Sequence, residues 1–338
     1  MFLISNNCAD CGSSQVHILM EYLTKNNGFR NLYICEDCKT IYSETKNTFM
    51  ENMKKPISKI ATVLEARTEG LGFNATCRTF HISPSTLSSW ENKFSDLKNT
   101  LCLYALTNAF LSQTIEGDEL YTKVNSNKSP AESEGWTIML LERRSRFIWE
   151  LSCNKKDEKL FRTAIETLAD VIKITDDISL VTDGERRYGN ILFEICRELL
   201  YTGKRGRPKS VLPKGVKVRV KNKGNQSHKR GPKRKKYQSP ISEHPDTKQN
   251  IKNNEIHANH CEGQNSAMRR KNSAYRRETN TYAKNNGSLQ RTLDLYWVVH
   301  NYIRVHFSIK TVPAVALGVI EKAMSWSDIF HVRTKAKI

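Results

Sequence analysis

The chain of 338 residues lacks the features that mark membrane and secreted proteins. No apolar run approaches the ~18 residues that a transmembrane helix needs. The first residues, MFLISNNCADCG, lack the charged-then-apolar pattern of a secretion signal. Nine cysteines without such a signal favour free thiols or a metal site over a disulfide framework. We therefore expect a cytoplasmic protein.

Acidic residues are absent from the segment 199–242, which contributes +15 to the formal net charge of +19. A soluble linker does not need charge of one sign, whereas contact with a phosphate backbone does. Prolines and glycines exclude a continuous helix, and only Val216–Val220 alternates as a short strand does. We interpret 201–250 as a basic arm that binds DNA, with a solvated linker as the alternative. Its candidate DNA-binding residues are Arg205, Arg207, Lys217, Arg219, Lys221 and Arg230.

Two Cys-x-x-Cys pairs near the start predict a zinc site. The pairs are Cys8 with Cys11 and Cys35 with Cys38, and strand-like residues at 16–23 and 30–34 form a hairpin between them. Each x-x spacing lets two sulfurs from one tight turn face the same ion, and four thiolates close a tetrahedral Zn²⁺ site. We assign 1–48 to a zinc-ribbon-like module with one structural zinc. The remaining cysteines lie in apolar contexts and are interpreted as core residues.

The region 49–100 has the pattern of a helix-turn-helix. Helices are predicted over 56–69, 74–80 and 84–94, and Ser83 followed by Pro84 is a typical helix start. The last of these helices would present polar side chains to base edges, while Leu87 and Trp90 pack inward. An ordinary helical hairpin is the alternative. The candidate base-contacting residues are Ser85, Thr86, Ser88 and Ser89.

The middle of the chain predicts a mixed sheet covered by helices. Strands are expected at 117–124, 137–142 and 146–153, then a helix at 157–173, a buried strand at 178–182 and a helix at 188–201. In such a sheet Asp118 and Asp183 can be neighbours. Two carboxylates in one cleft repel each other unless a cation lies between them, and oxygen-only ligands favour Mg²⁺ or Mn²⁺. Taken alone, either Asp is more often a surface or capping residue.

The whole pattern resembles the bacterial insertion-sequence transposases of the DDE type, and within them it is most similar to the insertion-sequence one family. The similarity extends from the cysteine pairs to about residue 330. Its most specific blocks are GDELYTKV (117–124), VTDG (181–184), LPKGVKVRVKNKG (212–224), EIHANHCEGQNSAMRRKNSAYRRETNTYAK (255–284), LDLYWVVHNYIRVHF (293–307) and VPAVALGV (312–319).

The resemblance implies a ribonuclease-H-like catalytic domain and a metal-binding triad. Asp118 matches the first family Asp and Asp183 the second, and Glu262 on a later helix matches the Glu. Residue types alone leave Glu255 and Glu278 as rivals for that third position. The resemblance also points to Asn265 as a partner near the site, whereas His257 and His260 are better explained as structural histidines. The arginines expected to hold DNA phosphates, with a solvated helix face as the alternative, are Arg269, Arg270, Arg276 and Arg277.

The resemblance implies a transposase that binds the terminal inverted repeats of its own element. The triad would hold two Mg²⁺ or Mn²⁺ ions for strand cleavage and strand transfer on double-stranded DNA, both by direct displacement at phosphorus. Because two element ends must be bound together, we expect at least a dimer on DNA. We expect this dimer to be associated with the nucleoid in the cytoplasm. The alternatives are a non-catalytic DNA-binding regulator and a ribonuclease-H-like nuclease. We assign 101–200 and 251–330 to the catalytic domain, which the basic arm divides, and 331–338 to a basic tail.

Overall fold

A computed structural model gives the architecture of most of the chain. The described residues are 7–109, 113–126, 128–175, 177–182, 184–201, 203, 205–220, 241–242, 256–276 and 279–334. Within them the protein is mixed α/β, with one large core that draws residues from Phe49 to Val332 and a small separate core in the N-terminal module.

The N-terminal module is a three-stranded antiparallel sheet with the order β1-β2-β3. Its strands are β1 Val16–Thr24, β2 Gly28–Cys35 and β3 Ile41–Ser43. The predicted hairpin between the two cysteine pairs is therefore confirmed. Its turn is joined to the next segment, because the side-chain amides of Asn26 and Asn27 donate to the backbone oxygens of Lys54 and Lys55.

Three helices follow, and their sequence signals explain where each begins and ends. They are α1 Ile57–Thr68, α2 Phe73–Phe80 and α3 Pro84–Asn108. His81 ends α2 in the left-handed conformation with φ 52°, and Ser83 begins α3 because its Oγ accepts from the Thr86 amide at 3.1 Å. Leu87 and Trp90 are buried as predicted. The helix α3 is longer than expected, because its apolar face continues through Phe94, Leu97 and Leu101 into the main core.

The main sheet has the strand order β11-β10-β7-β4-β5-β6. Strands β4, β5 and β6 are antiparallel, β7 pairs with β4 in parallel, β10 pairs with β7 in parallel, and β11 pairs with β10 antiparallel. The strands are β4 Gln113–Tyr121, β5 Trp136–Glu142, β6 Ile148–Asn154, β7 Ile178–Thr182, β10 Val216–Val220 and β11 Ile241–Ser242, and a separate pair is formed by β8 Glu198–Leu200 and β9 Lys209–Val211.

Helices pack on the sheet and complete the core. They are α4 Glu158–Ile172, α5 Arg187–Cys196, α6 Asn259–Lys271, α7 Asn286–Val298, α8 Pro313–Ala316 and α9 Trp326–His331, with a 3₁₀ turn at Ser273–Tyr275 and a π-helical turn at Val299–Ile303. The helix α7 packs against α3 and β6, with Trp297 and Leu293 fully buried. The apolar residues of the segment 289–302 are therefore used for core packing.

Three predicted boundaries need correction. The helix expected over 188–201 ends at Cys196, and Glu198–Leu200 forms a strand instead, because it pairs with Lys209–Val211. The helix expected over 157–173 begins one residue later, since Asp157 is its N-cap and accepts from the Leu160 amide. The first strand of the sheet begins at Gln113 and ends at Tyr121 rather than spanning 117–124.

The basic segment also contributes to the sheet. Val216–Val220 is a strand as predicted, and it pairs in parallel with β7 rather than lying in an otherwise irregular arm. Its apolar residues Val216, Val218 and Val220 are buried, and the basic residues between them are half-buried. The first half of the segment thus belongs to the fold, while 221–240 and 243–250 lie outside the described residues.

Candidate active site and metal centre

The four N-terminal cysteines converge in a cluster compatible with structural zinc. Their sulfurs lie within 4.8 Å of one another, with Cys8 Sγ 3.5 Å from Cys38 Sγ and Cys11 Sγ 3.6 Å from Cys35 Sγ. Four thiolates about 2.3 Å from a tetrahedral Zn²⁺ stand about 3.8 Å apart, so this spacing fits the ion. The predicted grouping of the four cysteines is confirmed.

Tight turns on both sides of the hairpin produce this cluster. The Gly12 amide donates to the Cys8 carbonyl and the Lys39 amide to the Cys35 carbonyl, so each pair reverses the chain within a few residues. Gly12 and Lys39 adopt positive φ there, at 77° and 58°. Thr40 beside Cys38 lowers the pKa of that thiol to about 6, which favours the thiolate that a metal needs.

Asp118 lies on the central strand β4, next to the strand that precedes Asp183. In the register of β4 and β7, Gly117 stands opposite Thr182, the last residue of β7. A Cβ on Gly117 would lie 3.2 Å from Thr182 Cγ2 and 3.3 Å from Leu140 Cδ2. A glycine therefore permits the close approach of β7 beside Asp118. Asp183 itself lies outside the described residues.

The helix α6 provides a polar partner for Asp118. The Asn265 side-chain amide donates to Asp118 Oδ2 at 2.8 Å across 147 residues of sequence. Asn265 is buried and Asp118 is half-buried. The other amide atom, Asn265 Oδ1, is buried and has no hydrogen-bond partner among the described residues. A carboxylate thus stands beside an unused carbonyl-type oxygen, and both are oxygen ligands of the kind that Mg²⁺ prefers.

A second carboxylate on the same face of β4 fixes the start of α6. Glu116 is fully buried, and its Oε2 accepts from the backbone amides of His260 and Cys261 at 2.9 and 3.1 Å. Its Oε1 lies 2.7 Å from both Arg143 Nε and His260 Nδ1. Burial by itself raises the pKa of Glu116, but the His260 hydrogen bond and the Arg143 charge outweigh it and lower the pKa below its usual range.

The two histidines contact Glu116 in this arrangement. The His257 and His260 rings are half-buried, with centroids 5.5 Å apart, and His257 Nδ1 lies 3.6 Å from Glu116 Oε1. The three side chains are near enough to one another to hold a metal ion. Arg143 already pairs with the same Glu116 oxygen, and a cation beside that guanidinium would be repelled. The arrangement therefore supports the structural interpretation of these histidines.

Glu262 occupies a different position from Asn265 on α6. Glu262 lies in the first turn of the helix and is exposed, three residues before the buried Asn265. Residues at i and i+3 are neighbours on a helix surface, so Glu262 lies beside Asn265 on α6 but on its exposed side. Arg269 is half-buried and Arg270 and Arg276 are exposed. The rivals Glu255 and Glu278, together with Arg277, lie outside the described residues.

The other candidate DNA-binding residues are accessible to different extents. Ser85 and Ser89 are exposed and Thr86 and Ser88 half-buried, and the Ser85 and Thr86 hydroxyls lie 2.9 and 2.8 Å from the N-cap Ser83 Oγ. Arg205 and Arg207 are exposed, whereas Lys217 is half-buried and pairs with Asp177 at 2.9 Å. Arg219 is half-buried on the same strand. Lys221 and Arg230 lie outside the described residues.

Sequence reasoning missed Glu116 and Arg143. The strand prediction carried a usable signal for Glu116, because residues two apart on a strand share a face and Glu116 stands two residues before Asp118. No local pattern indicated Arg143, whose role depends on a hairpin that brings it back to β4, where its amide donates to the Thr114 carbonyl.

A scan against models of protein families and a search of curated proteins both found no match. Among the described residues, none of the helices combines the length and the apolar character needed to span a bilayer.

Proposed function

We propose that the chain is a DDE-type transposase that cuts and joins the ends of its own insertion sequence. The observation that carries the proposal is the contact between Asn265 and Asp118. This contact brings α6, and with it Glu262, to the strand that holds the first Asp of the resemblance. Asp183 directly follows Thr182, and Thr182 pairs with Gly117, the residue before Asp118. Three acidic residues separated by up to 144 positions are thereby candidates for a single pocket.

The topology supports a ribonuclease-H-like interpretation of the fold. Three antiparallel strands are followed by a helix and by a strand that joins β4 in parallel, and a further parallel strand lies beyond it. Such a sheet places the ends of β4 and β7 at one edge, where ligands of α/β sheets commonly bind. The three-residue turn between α2 and α3 supports a helix-turn-helix whose second helix offers Ser85 and Ser89 to DNA.

Oxygen donors at Asp118 suit a divalent cation. The free Asn265 Oδ1 and the half-buried Asp118 carboxylate fit Mg²⁺ or Mn²⁺, and Asp183 and Glu262 would add two further carboxylates. When bound, a pair of such ions lowers the pKa of an attacking water or hydroxyl and stabilises the leaving oxygen at phosphorus. The Asn265 amide orients the Asp118 carboxylate, and the Glu116 contacts fix the start of the helix that carries Asn265.

The remainder of the chain supplies DNA binding in this proposal. The zinc module and the helices α1–α3 read the inverted repeats, and the basic segment holds the phosphate backbone of double-stranded DNA. A net charge of +19 favours such a polyanionic partner. Two ends must be held together, so the active form is at least a dimer. The site of action is the nucleoid in the cytoplasm.

A cleavage assay tests this function. The DNA that flanks the coding frame should carry short inverted repeats bounded by direct duplications, and a labelled duplex with those repeats is the substrate. With Mg²⁺ or Mn²⁺ the purified chain should nick this duplex and join its 3′ ends to a target. The variants Asp118→Asn, Asp183→Asn and Glu262→Gln should bind the duplex and leave it uncut.

A neighbouring carboxylate is the matched control. Glu119 follows Asp118 on β4 but points to the other face of the sheet, where it pairs with Lys156 at 3.1 Å. Glu119→Gln should therefore retain cleavage. Specific binding without cleavage under any metal would favour the non-catalytic regulator. Cleavage of branched or hybrid substrates without joining would favour the nuclease.

A further inference from the structure

A basic cavity adjoins the candidate active site on the outer side of α6. It has a volume of about 410 Å³ and lies between α6 and the segment that follows α7. Its lining includes the cationic residues Arg146, Arg270, Lys271 and Arg304, and it contains no Asp or Glu. We call this space the basic cavity.

The positive charge of the basic cavity is only partly balanced. Glu69, outside the lining, forms an ion pair with Arg304 and lies 3.7 Å from Lys271 Nζ. Glu116 and Glu142 act on Arg146 from the side of the sheet. Burial lowers the pKa of Lys271, and the nearby Arg304 charge lowers it further, which shows that the two cations lie close together. The lining retains an excess of positive charge, which is the requirement for binding an anion.

A buried hydrogen-bond donor in the lining has no partner. Arg304 donates through Nη2 to Thr68 and Glu69, but its Nη1 is buried and has no acceptor among the described residues. A buried polar group without a partner costs free energy, so a turn of the Arg304 side chain toward an anionic oxygen in the cavity would be favoured. The histidines His300 and His306 complete this part of the lining. Burial and nearby cations lower the pKa of both, so they are neutral at pH 7.

An exposed aromatic ring forms the rim of the basic cavity. Phe307 lines the cavity and is 84% exposed, the highest value among the large apolar residues described. Lys310 Nζ lies 3.9 Å from the centre of its ring, and Val305 beside it is also exposed. A cationic groove with an exposed aromatic ring is the arrangement that binds single-stranded nucleic acid, because phosphates pair with the cations and an unpaired base stacks on the ring.

We propose that the basic cavity holds an unpaired DNA strand beside the active site, with its phosphates at Arg270, Lys271 and Arg304 and one base stacked on Phe307. Duplex DNA keeps its bases stacked inside, so a single projecting ring at a concave site suits an unpaired strand better. His260 lines the cavity and also contacts Glu116, two residues before Asp118, so the start of α6 joins the cavity to the candidate active site. This inference rests on the proposed function.

Binding of oligonucleotides without cleavage tests the proposal on the full chain. Fluorescence anisotropy in Mg²⁺-free buffer without chelator compares a labelled oligodeoxythymidine with a blunt duplex. Phe307→Ala should weaken binding of the single strand by about 5- to 150-fold, with little change for the duplex. Phe307→Trp should restore it. Arg270→Gln should weaken single-strand binding and reduce its salt slope by roughly 0.7. Tyr282→Ala, which removes another aromatic ring that has a lysine over it but lies outside the basic cavity, is the matched control.

A photocrosslink locates the base independently of affinity. An oligonucleotide with 5-iododeoxyuridine should crosslink to Phe307, identified by mass spectrometry of the digested adduct. Unchanged single-strand affinity in Phe307→Ala, or an equal loss in Tyr282→Ala, would overturn the proposal, as would crosslinks confined to other segments. If the wild-type chain cuts element ends while the Phe307 and Arg270 variants bind normally, the cavity proposal fails alone. If those variants lose binding but the wild type never cuts, the transposase proposal fails alone.

Discussion

Glu116 and Asp118 lie on one face of β4, but their surroundings suit the two carboxylates to different roles. Glu116 is fully buried, and both of its oxygens are occupied by backbone amides, Arg143 and His260. Asp118, two residues later, is half-buried and receives the Asn265 amide on one oxygen. Glu116 is therefore suited to holding α6 in place, and Asp118 retains the accessibility that a metal ligand needs.

Replacing Glu116 tests its structural role through the pH dependence of stability. The pKa of Glu116 is lowered in the folded state, so its contribution is complete above the usual Glu pKa of about 4.3 and is lost as the pH falls through the lower folded-state value. Glu116→Gln should lower the free energy of unfolding by about 3 kcal/mol at pH 7, measured by urea denaturation, because Arg143 loses its buried partner. The difference between variant and wild type should shrink below about pH 4. A difference that stays constant down to pH 3 would contradict this account.

Removing the Asn265 side chain should affect Asp118 more than it affects the fold. Asn265→Ala deletes the donor to Asp118, so the cleavage rate should fall by about 10–100-fold and the Mg²⁺ requirement should rise. The measurements are cleavage rates across a Mg²⁺ titration and thermal unfolding. The exposed Ser266, one residue further on, provides the control variant Ser266→Ala, which should cut normally. Equal metal requirements in Asn265→Ala and wild type would remove Asn265 from the site.

At the scale of elements, α3 links the region proposed to read DNA to the core. Its first turn carries the candidate base contacts, and the helix packs against α7. The same N-cap that begins the helix also engages Ser85 and Thr86, so the start of α3 is set by side chains on its own surface. A change at this cap should therefore alter both stability and DNA reading.

Loss of the α3 cap gives a measurable destabilisation. Ser83→Ala removes the acceptor for the Thr86 amide and should cost about 1 kcal/mol, seen as a Tm lower by about 2–4 °C. Ser83→Asp keeps an acceptor at the N-cap and should hold the wild-type Tm. An unchanged Tm in Ser83→Ala would show that the packing of α3, and not its cap, fixes the start of the helix.

Sequence patterns predicted most of the helices and strands. The features that these patterns missed depend on tertiary contacts. The strand-like residues at 16–23, the alternation at 216–220 and the helical spacing at 157–173 identified their elements to within a residue or two. The segment 198–200 was predicted as the end of a helix, because strand pairing with Lys209–Val211 leaves no local signal. The strand that pairs with Val216–Val220 could not be predicted either, since parallel pairing joins strands that are distant in sequence.

The same limit applies to the candidate site. Residue types and spacing predicted the four cysteines and placed Asp118 on a strand, and the resemblance pointed to Asn265. The contacts of Glu116 with His260 and Arg143 join residues up to 144 positions apart, and no window of sequence contains them. The basic cavity is likewise assembled from α6, the Arg146 turn and the segment after α7.

At the scale of the whole molecule, the N-terminal module stands apart from the main core. Its own core contains only Cys8, Cys35 and Tyr42 as buried apolar residues among those described. A core of this size supplies little hydrophobic stabilisation, so we expect the stability of the module to depend on a bound metal.

Zinc content and its loss test that dependence. The purified chain should carry one Zn²⁺, measured by elemental analysis, and Cys35→Ser should carry none. In that variant limited proteolysis should cleave within 16–43 while the main core stays resistant. Cys196→Ser, at a half-buried free thiol outside the module, should keep one zinc. One zinc per chain in Cys35→Ser would contradict the assignment of the cluster.

The central claim is that Asp118, Asp183 and Glu262 bind divalent cations together. Anomalous diffraction from crystals of the chain grown with Mn²⁺ and a cleaved DNA end measures this directly. The account predicts manganese peaks in contact with the Asp118 carboxylate, with Asp183 and Glu262 as further ligands. Manganese elsewhere, or Asp183 and Glu262 turned away from Asp118 in the DNA-bound protein, would contradict it.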